Sequence, residues 1–232
     1  LTESVLGKLS IVATPIGNLD DFSPRAVKTL QQADCIACED TRTSATLFRH
    51  YGIDKPTFSF HQHNEHQKVN YVLELLRGGQ QVALISDAGM PGISDPGFLA
   101  IRAAHLDHQQ VEVIPGPDAV TTALVASGLP CDRYIFEGFI PRKKGRQTMI
   151  KSFIDEERTV VLYESPHRIQ RLLSELTEHL SPDRMVAVAR ELTKKFEEIN
   201  RGRLEDIEQE WSERKQVKGE FVVVLAGCSY SD

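Results

Sequence analysis

The chain has 232 residues, of which 41% are hydrophobic and 26% charged, and its formal net charge is −6. A chain of this length and apolar content can bury a sizeable core in one large domain or two small ones. No apolar run approaches the roughly 20 residues that a membrane-spanning helix needs. The acidic balance excludes a surface coated uniformly in positive charge, although a local basic patch remains compatible with it.

The opening residues, LTESVLGK, hold no apolar signal core, so a cytoplasmic location is expected. A first strand-like run at 9–13 leads into the turn-rich Thr14-Pro15-Ile16-Gly17-Asn18. Ser23-Pro24 then pairs an N-cap residue with proline at the first helical position, which predicts a helix over 24–33. The second apolar run, 34–38, contains Cys35 and Cys38. Their C-x-x-C spacing invites a redox or zinc reading, but the apolar neighbours and the lack of a second pair favour a buried strand, and no metal is expected.

Glu39-Asp40-Thr41-Arg42 follows this strand. A carboxylate beside an arginine suits orientation of a hydroxyl or contact with a phosphate, and it equally suits a helix N-cap with a local ion pair. The run His61-Gln62-His63-Asn64-Glu65-His66 fits no standard metal spacing. There Asn64 is expected to cap a helix over 65–77, stopped by Gly78-Gly79, with His63 and Glu65 as candidate substrate contacts.

The strand 81–85 runs directly into Ser86-Asp87-Ala88-Gly89-Met90-Pro91-Gly92-Ile93-Ser94-Asp95-Pro96-Gly97. Three glycines permit close backbone approach to a ligand, and Asp87 and Asp95 offer carboxylates for hydroxyls, an ammonium group or a metal. After the strand 111–114, Pro115-Gly116-Pro117 reads as a stiff reversal and marks a boundary between domains 1–115 and 116–232. Asp118 is placed as the cap of a helix over 119–127, ended by Gly128.

In the second half, Pro141-Arg142-Lys143-Lys144-Gly145-Arg146 carries four positive charges in six residues. It reads as a phosphate-binding loop, with Phe139 beside it as a stacking candidate and Lys151, Lys194, Lys195, Arg201 and Arg203 as candidates to extend it. A strand at 159–163 is followed by Ser165-Pro166, which predicts a helix over 166–180 and leaves His167 and Arg168 exposed. Further strands are expected at 184–189 and 221–226. Alternation of strands and helices of this kind means an α/β protein, whose ligands collect at the carboxyl ends of the strands.

The series TPIGNL (14–19), EDTR (39–42), SDAGMPGISDPG (86–97), PGPDAV (115–120), GLP (128–130), GFIPRKKGR (138–146), YESPHR (163–168) and ARELTK (189–194) stands in order along nearly the whole chain. It resembles the ribosomal RNA small subunit methyltransferase I family. The resemblance implies the tetrapyrrole-methylase fold of the class III S-adenosylmethionine methyltransferases: two α/β/α domains with the cofactor in the cleft between them, usually as a homodimer. It further implies 2′-O-methylation of a decoding-centre cytidine of 16S ribosomal RNA within the small ribosomal subunit. By family position, Pro15, Ile16, Met90, Ile93, Ser94, Asp95, Asp118, Ala119, Glu164, Ala189, Arg190 and Glu220 should line the cofactor pocket. The candidates for chemistry are Glu39, Asp40, Arg42, His63, Glu65 and His167, and those for RNA contact are Arg142, Lys143, Lys144 and Arg146.

A Rossmann-type glycine fingerprint is missing after the first strand, in keeping with that fold. Met90 stands where relatives acting on tetrapyrroles carry aspartate, a change that main-chain binding would tolerate. Many members of the family continue into a further small helical segment, whereas this chain stops soon after the strand at 221–226. The alternatives within reach of the sequence are methylation of a tetrapyrrole or protein acceptor, a noncatalytic RNA-binding module, and a metal-dependent phosphotransferase using Asp87 and Asp95, which would require divalent-ion binding.

Overall fold

The apolar runs at 9–13, 34–38 and 81–85 become strands buried on both faces, the pattern of a parallel sheet covered by helices, while the run at 111–114 forms a more exposed edge strand. In the computed structural model, which describes residues 7–231, the elements are β1 (Lys8–Val12), α1 (Pro24–Gln32), β2 (Cys35–Cys38), α2 (Thr41–Tyr51), β3 (Thr57–Ser59), α3 (Glu65–Arg77), β4 (Gln81–Ile85), α4 (Phe98–Leu106) and β5 (Gln110–Ile114). All pairings are parallel, in the order β3-β2-β4-β1-β5. Ala26 and Leu30 of α1 and Leu47 of α2 pack on one face, and Val72 and Leu76 of α3 with Ala100 and Ala104 of α4 pack on the other.

Cys35 and Cys38 show how strand geometry overrides spacing. Residues three apart on a strand face opposite sides, so Cys38 joins the α1/α2 core and Cys35 the α3/α4 core. Both are free thiols, and burial pushes that of Cys38 up to about 11, which makes it inert.

Ser23 caps α1 as its sequence predicts, accepting the Ala26 N–H at 3.1 Å. Asn64 stands at the N-cap of α3 but makes no cap bond. Its carboxamide oxygen accepts the His61 N–H at 2.8 Å and its nitrogen donates to the Ser59 carbonyl at 3.2 Å, closing the turn before the helix instead.

The chain divides into units Leu1–Asp118 and Ala119–Asp232, just after the Pro115-Gly116-Pro117 reversal. The second unit contains α5 (Ala119–Ala126), β6 (Tyr134–Phe139), α6 (Arg146–Ser152), β7 (Thr159–Glu164), α7 (Ile169–His179), β8 (Met185–Arg190), β9 (Glu198–Arg203), α8 (Leu204–Ser212) and β10 (Phe221–Leu225). Its sheet is mixed, in the order β6-β7-β10-β8-β9, with only β6 and β7 parallel. Apolar side chains of α6, α7 and α8, with Trp211 among them, bury one face. Arg184 ties the unit's turns together: its buried guanidinium donates to the carbonyls of Phe153, Ile154 and Glu156 after α6 and of Ala226 after β10.

One helix start is displaced from its prediction. Ser165-Pro166 does not open α7; residues 165–168 form a turn, and the helix begins at Ile169. The cause lies in Arg168, which is pulled back to the Glu164 carboxylate at 2.8 Å and to the Ser165 hydroxyl at 3.1 Å, so the serine oxygen is engaged by a guanidinium and not by a helix N–H.

Candidate active site

In the first unit, β1 leads to α1 on one face of the sheet, while its neighbour β4 leads to α4 on the other. The loops leaving two adjacent strands therefore diverge, which opens a crevice at their carboxyl ends, the usual ligand position in an open α/β sheet. The same edge carries the Thr14–Asn18 turn, Glu39-Asp40, the 86–97 loop and the Pro115–Asp118 reversal.

The loops are fastened to each other. Thr14 and Gly89 exchange two backbone bonds, of 2.9 and 3.0 Å, and the Thr14 hydroxyl donates to the Ser86 carbonyl at 3.2 Å. A side chain on Gly116 would press on Ala13, at 3.0 Å. Ser94 holds φ at 62°, in the left-handed region that disfavours L side chains, between the Ile93-to-Met90 and Gly92-to-Pro96 backbone bonds. Pro15 and Ile16 are buried, Met90 is half-buried, and Ile93 lies open on the surface.

Glu39, Asp87 and Asp95 converge at this edge. The Asp87 N–H donates to Glu39 Oε2 at 3.4 Å, and the Asp40 N–H donates to Asp87 Oδ1 at 3.1 Å. Burial, then the charge of Glu39, raises Asp95 to about 7; Ser86 works against the rise and Asp87 adds to it. Burial likewise raises Glu39 and Asp87. Three carboxyls kept above their ordinary range by desolvation and by each other form a place that welcomes a cation and can take up a proton. Among the described residues, no group of three or more His, Cys, Asp or Glu side chains is arranged to hold a metal ion.

The structure redistributes the candidates for chemistry. Asp40 is the N-cap of α2: it accepts the Arg42 N–H at 2.8 Å and pairs with the Arg42 guanidinium at 2.7 Å. That arginine holds Asp40 down at about 2, too acidic to accept a proton at neutral pH. His63 is exposed and Glu65 lies in the first turn of α3. The histidine facing the acidic group is His61, whose charge opposes the rise of Glu39 and whose buried Nδ1 has no hydrogen-bond partner. Sequence reasoning passed over His61 because nothing in the run 61–66 distinguishes it; its only signal is that it lies two residues beyond a strand end.

In the second unit, Glu164 is fully buried and committed to protein groups. It accepts the Ser165 N–H at 2.7 Å and pairs with Arg168 at 2.8 Å and Arg146 at 3.6 Å. Arg146 corrects an expectation directly. It is 2% exposed, donates Nε to Glu175 Oε2 at 2.5 Å, and so presents no charge to an RNA phosphate. Arg142, Lys143 and Lys144 remain exposed.

His167 is exposed, and Ala189 is buried within β8. Arg190 donates to the Lys218 carbonyl at 2.7 Å, and Glu220 pairs with Lys194 at 2.8 Å. Of the residues proposed to extend the basic run, Lys194 is held by Glu191 and Glu220, and Arg203 by Asp183 and Glu205. Asp118 and Ala119 close the first unit and open α5.

A parallel α/β unit with its loops gathered at a switch point, followed by a mixed-sheet unit, matches one family throughout. The chain belongs to the tetrapyrrole (corrin/porphyrin) methylases, whose profile matches residues 8–208. It is accordingly an S-adenosylmethionine-dependent methyltransferase. It is 46% identical to the Ribosomal RNA small subunit methyltransferase I of Synechocystis sp., over 98% of this chain and 81% of that one. The protein of the same name from Thermotoga maritima is 44% identical, over 96% and 99%. Among solved structures, the methyltransferase CobJ superimposes with a TM-score of 0.72 at 20% identity, covering 97% of this chain and 96% of the other. Diphthine synthase superimposes with a TM-score of 0.71 at 15% identity, covering 95% and 90%. These two show the shared fold.

Proposed function

We propose that this chain methylates the 2′-hydroxyl of a decoding-centre cytidine in 16S ribosomal RNA of the small ribosomal subunit, acting as a cytoplasmic homodimer. The names of its relatives in Synechocystis and Thermotoga support the acceptor. The observation that carries it is the exposed Arg142-Lys143-Lys144 loop on an otherwise acidic chain, since a tetrapyrrole or protein acceptor does not require such a phosphate-binding run. No helix among the described residues is long and apolar enough to cross a membrane.

The residues at the β1/β4 crevice suit the cofactor's chemistry. S-Adenosylmethionine supplies a methyl group carried on a cationic sulfonium. Glu39, Asp87 and Asp95 would offset that charge, while Ile16, Met90, Ile93 and the tightly turned main chain around Ser94 would enclose the adenosine. Pro15, Asp118, Ala119, Glu164, Ala189, Arg190 and Glu220 remain part of the proposed lining, and Glu164 also sets Arg168 and the turn at 165–168.

Positioning the hydroxyl in line with the methyl carbon contributes most to the rate, up to roughly 7–11 kcal/mol. As the new C–O bond forms and the methyl–sulfur bond breaks, leaving the neutral thioether S-adenosylhomocysteine, the hydroxyl would also have to lose its proton. Asp95, at about 7, is the carboxyl best matched to take it, with Glu39 and His61 as the neighbouring relay. Asp40 and Arg42 serve to build α2, and His63, Glu65 and His167 are left as contacts to the RNA.

The reading is tested by incubating the chain with radiolabelled S-adenosylmethionine and purified small ribosomal subunits, then digesting the RNA and identifying the labelled nucleoside by mass spectrometry. Label on a cytidine ribose is the expected result; label on protein, or none with cofactor demonstrably bound, refutes it.

Asp95→Asn provides a second check through pH. The folded chain holds the Asp95 proton up to about 7, whereas an unfolded carboxyl releases it near 3.8. Folding stability from this group therefore declines as pH rises from about 4 to about 7, and the deficit persists above. The full interval corresponds to roughly 4 kcal/mol, which solvent screening of a half-buried group reduces to about 1–2 kcal/mol. Asp95→Asn should thus be more stable than the natural chain at pH 8 and equal to it near pH 4, while binding the cofactor about tenfold more weakly at pH 8. Denaturant titration and calorimetry at the two pH values measure this, and a less stable Asp95→Asn at pH 8 would refute the assignment.

A further inference from the structure

We infer that Phe136, Tyr163 and Phe139 form an aromatic step that takes an unpaired base of single-stranded RNA, with the neighbouring Arg142–Lys144 loop holding the phosphates on either side. The inference rests on the RNA reading above and specifies how the strand is gripped.

Along a regular strand, residues three apart point to opposite sides of the sheet. β6 departs from this: its register against β7 shifts between Phe136 and Gly138, and Gly138 sits at φ 63°. The bulge returns Phe139 to the side that Phe136 occupies. Both rings meet Tyr163, with centroid separations of 5.0 and 5.4 Å and interplanar angles of 69° and 60°. Ile135 and Ile140 meanwhile turn into the hydrophobic core on the opposite face. Phe139 is thus steadied at its edge yet left 53% exposed.

The basic loop begins two residues later. Its base is anchored, since the Ile140 carbonyl accepts from Arg168 at 3.3 Å and the Pro141 carbonyl accepts from Arg146 at 3.3 Å. Arg142, Lys143 and Lys144 are exposed, and none of them forms an ion pair with a carboxylate of the described residues. One turn therefore carries an open ring and three uncommitted cations.

A single-stranded polynucleotide uses both, through base stacking and phosphate attraction. An apolar protein surface has no use for the three cations.

The test uses fluorescence anisotropy with a labelled oligoribonucleotide of about eight nucleotides at about 0.1 M salt, together with its abasic counterpart. Phe139→Ala should weaken binding of the intact strand about tenfold, within the range for loss of one stacked base. It should leave the abasic strand, the salt dependence and cofactor affinity unchanged. Phe139→Trp should retain affinity and report stacking by quenched emission, because the natural Trp211 is buried.

Equal binding of the intact strand by Phe139→Ala and the natural chain overturns the inference, as does an equal loss on the abasic strand or no binding by the natural chain. A changed oligomeric state of Phe139→Ala in analytical ultracentrifugation would assign the ring to a contact with a second copy, and also overturns it. Methyl transfer to small subunits by the natural chain separates the two failures: if transfer persists, the RNA reading stands without this step.

Discussion

Arg146→Met is expected to destabilise the second unit by about 3–5 kcal/mol, the cost of removing one partner from a buried ion pair. Its guanidinium lies between Glu175 at 2.5 Å and Glu164 at 3.6 Å, with side-chain exposures of 2%, 11% and 0% for the arginine and the two glutamates. Arg168 and Arg171 neutralise the outer sides of those carboxylates, at 2.8 and 2.9 Å. Once Arg146 is replaced, the Glu164 oxygen that faced it and the Pro141 carbonyl lose a partner in a region closed to water, while Met recovers only part of the packing. At roughly 2–4 °C per kcal/mol for a chain of this size, the melting midpoint should fall by about 10 °C. Thermal unfolding followed by circular dichroism measures this. Arg146→Lys should recover little, because a single ammonium cannot reproduce the forked donor geometry. A midpoint within a degree or two of the natural chain would show that the network contributes nothing to folding.

Joint replacement of Arg142, Lys143 and Lys144 by Gln is expected to weaken binding to small ribosomal subunits by roughly hundredfold at low salt, and to reduce the dependence of log K on log salt by about two. Each cation lost is one fewer phosphate neutralised and one fewer set of counterions released. Arg146 has to be spared: including it, as the sequence invites, would destabilise the unit and confound any loss of RNA affinity. The three remaining side chains are exposed, so the variant should melt with the natural chain and bind cofactor normally. Subunit affinity unchanged across a salt series would remove this loop from the RNA interface.

Most of the strands were legible because buried parallel and central strands are short continuous apolar runs. β1, β2, β4, β7, β8 and β10 fall on such runs, and β5, at the edge of its sheet, was legible from the alternating Val111 and Val113 and from Ile114. The strands that escaped lack that signature for identifiable reasons. β3 has only three residues and no buried one. β9 reads Glu-Ile-Asn-Arg-Gly-Arg and lies at the edge of its sheet, so half of it faces water. β6 carries its bulge at Gly138, which breaks the alternation that would have marked it.

Arg146 illustrates a misreading with a recoverable signal. Taken with Arg142, Lys143 and Lys144 it looks like one basic run, yet Gly145, at φ 84°, reverses the chain and makes Arg146 the first residue of α6. It then shares the i, i+4, i+7 face with Ile150 and Phe153, both buried. Helical spacing could therefore have placed it inside, although not against Glu164 and Glu175, which are distant in sequence.

The sequence by itself determined the α/β class, the order of the loops that gather at the β1/β4 edge, and the family, because strand patterning and local turn chemistry are written in neighbouring residues. Only the tertiary structure decided what each charged group does. Asp40 went to capping, Arg146 and Glu164 to a buried network, and Asp95 to a carboxyl near 7. Charge and burial depend on partners that the fold brings from far along the chain, and no local pattern records those distances.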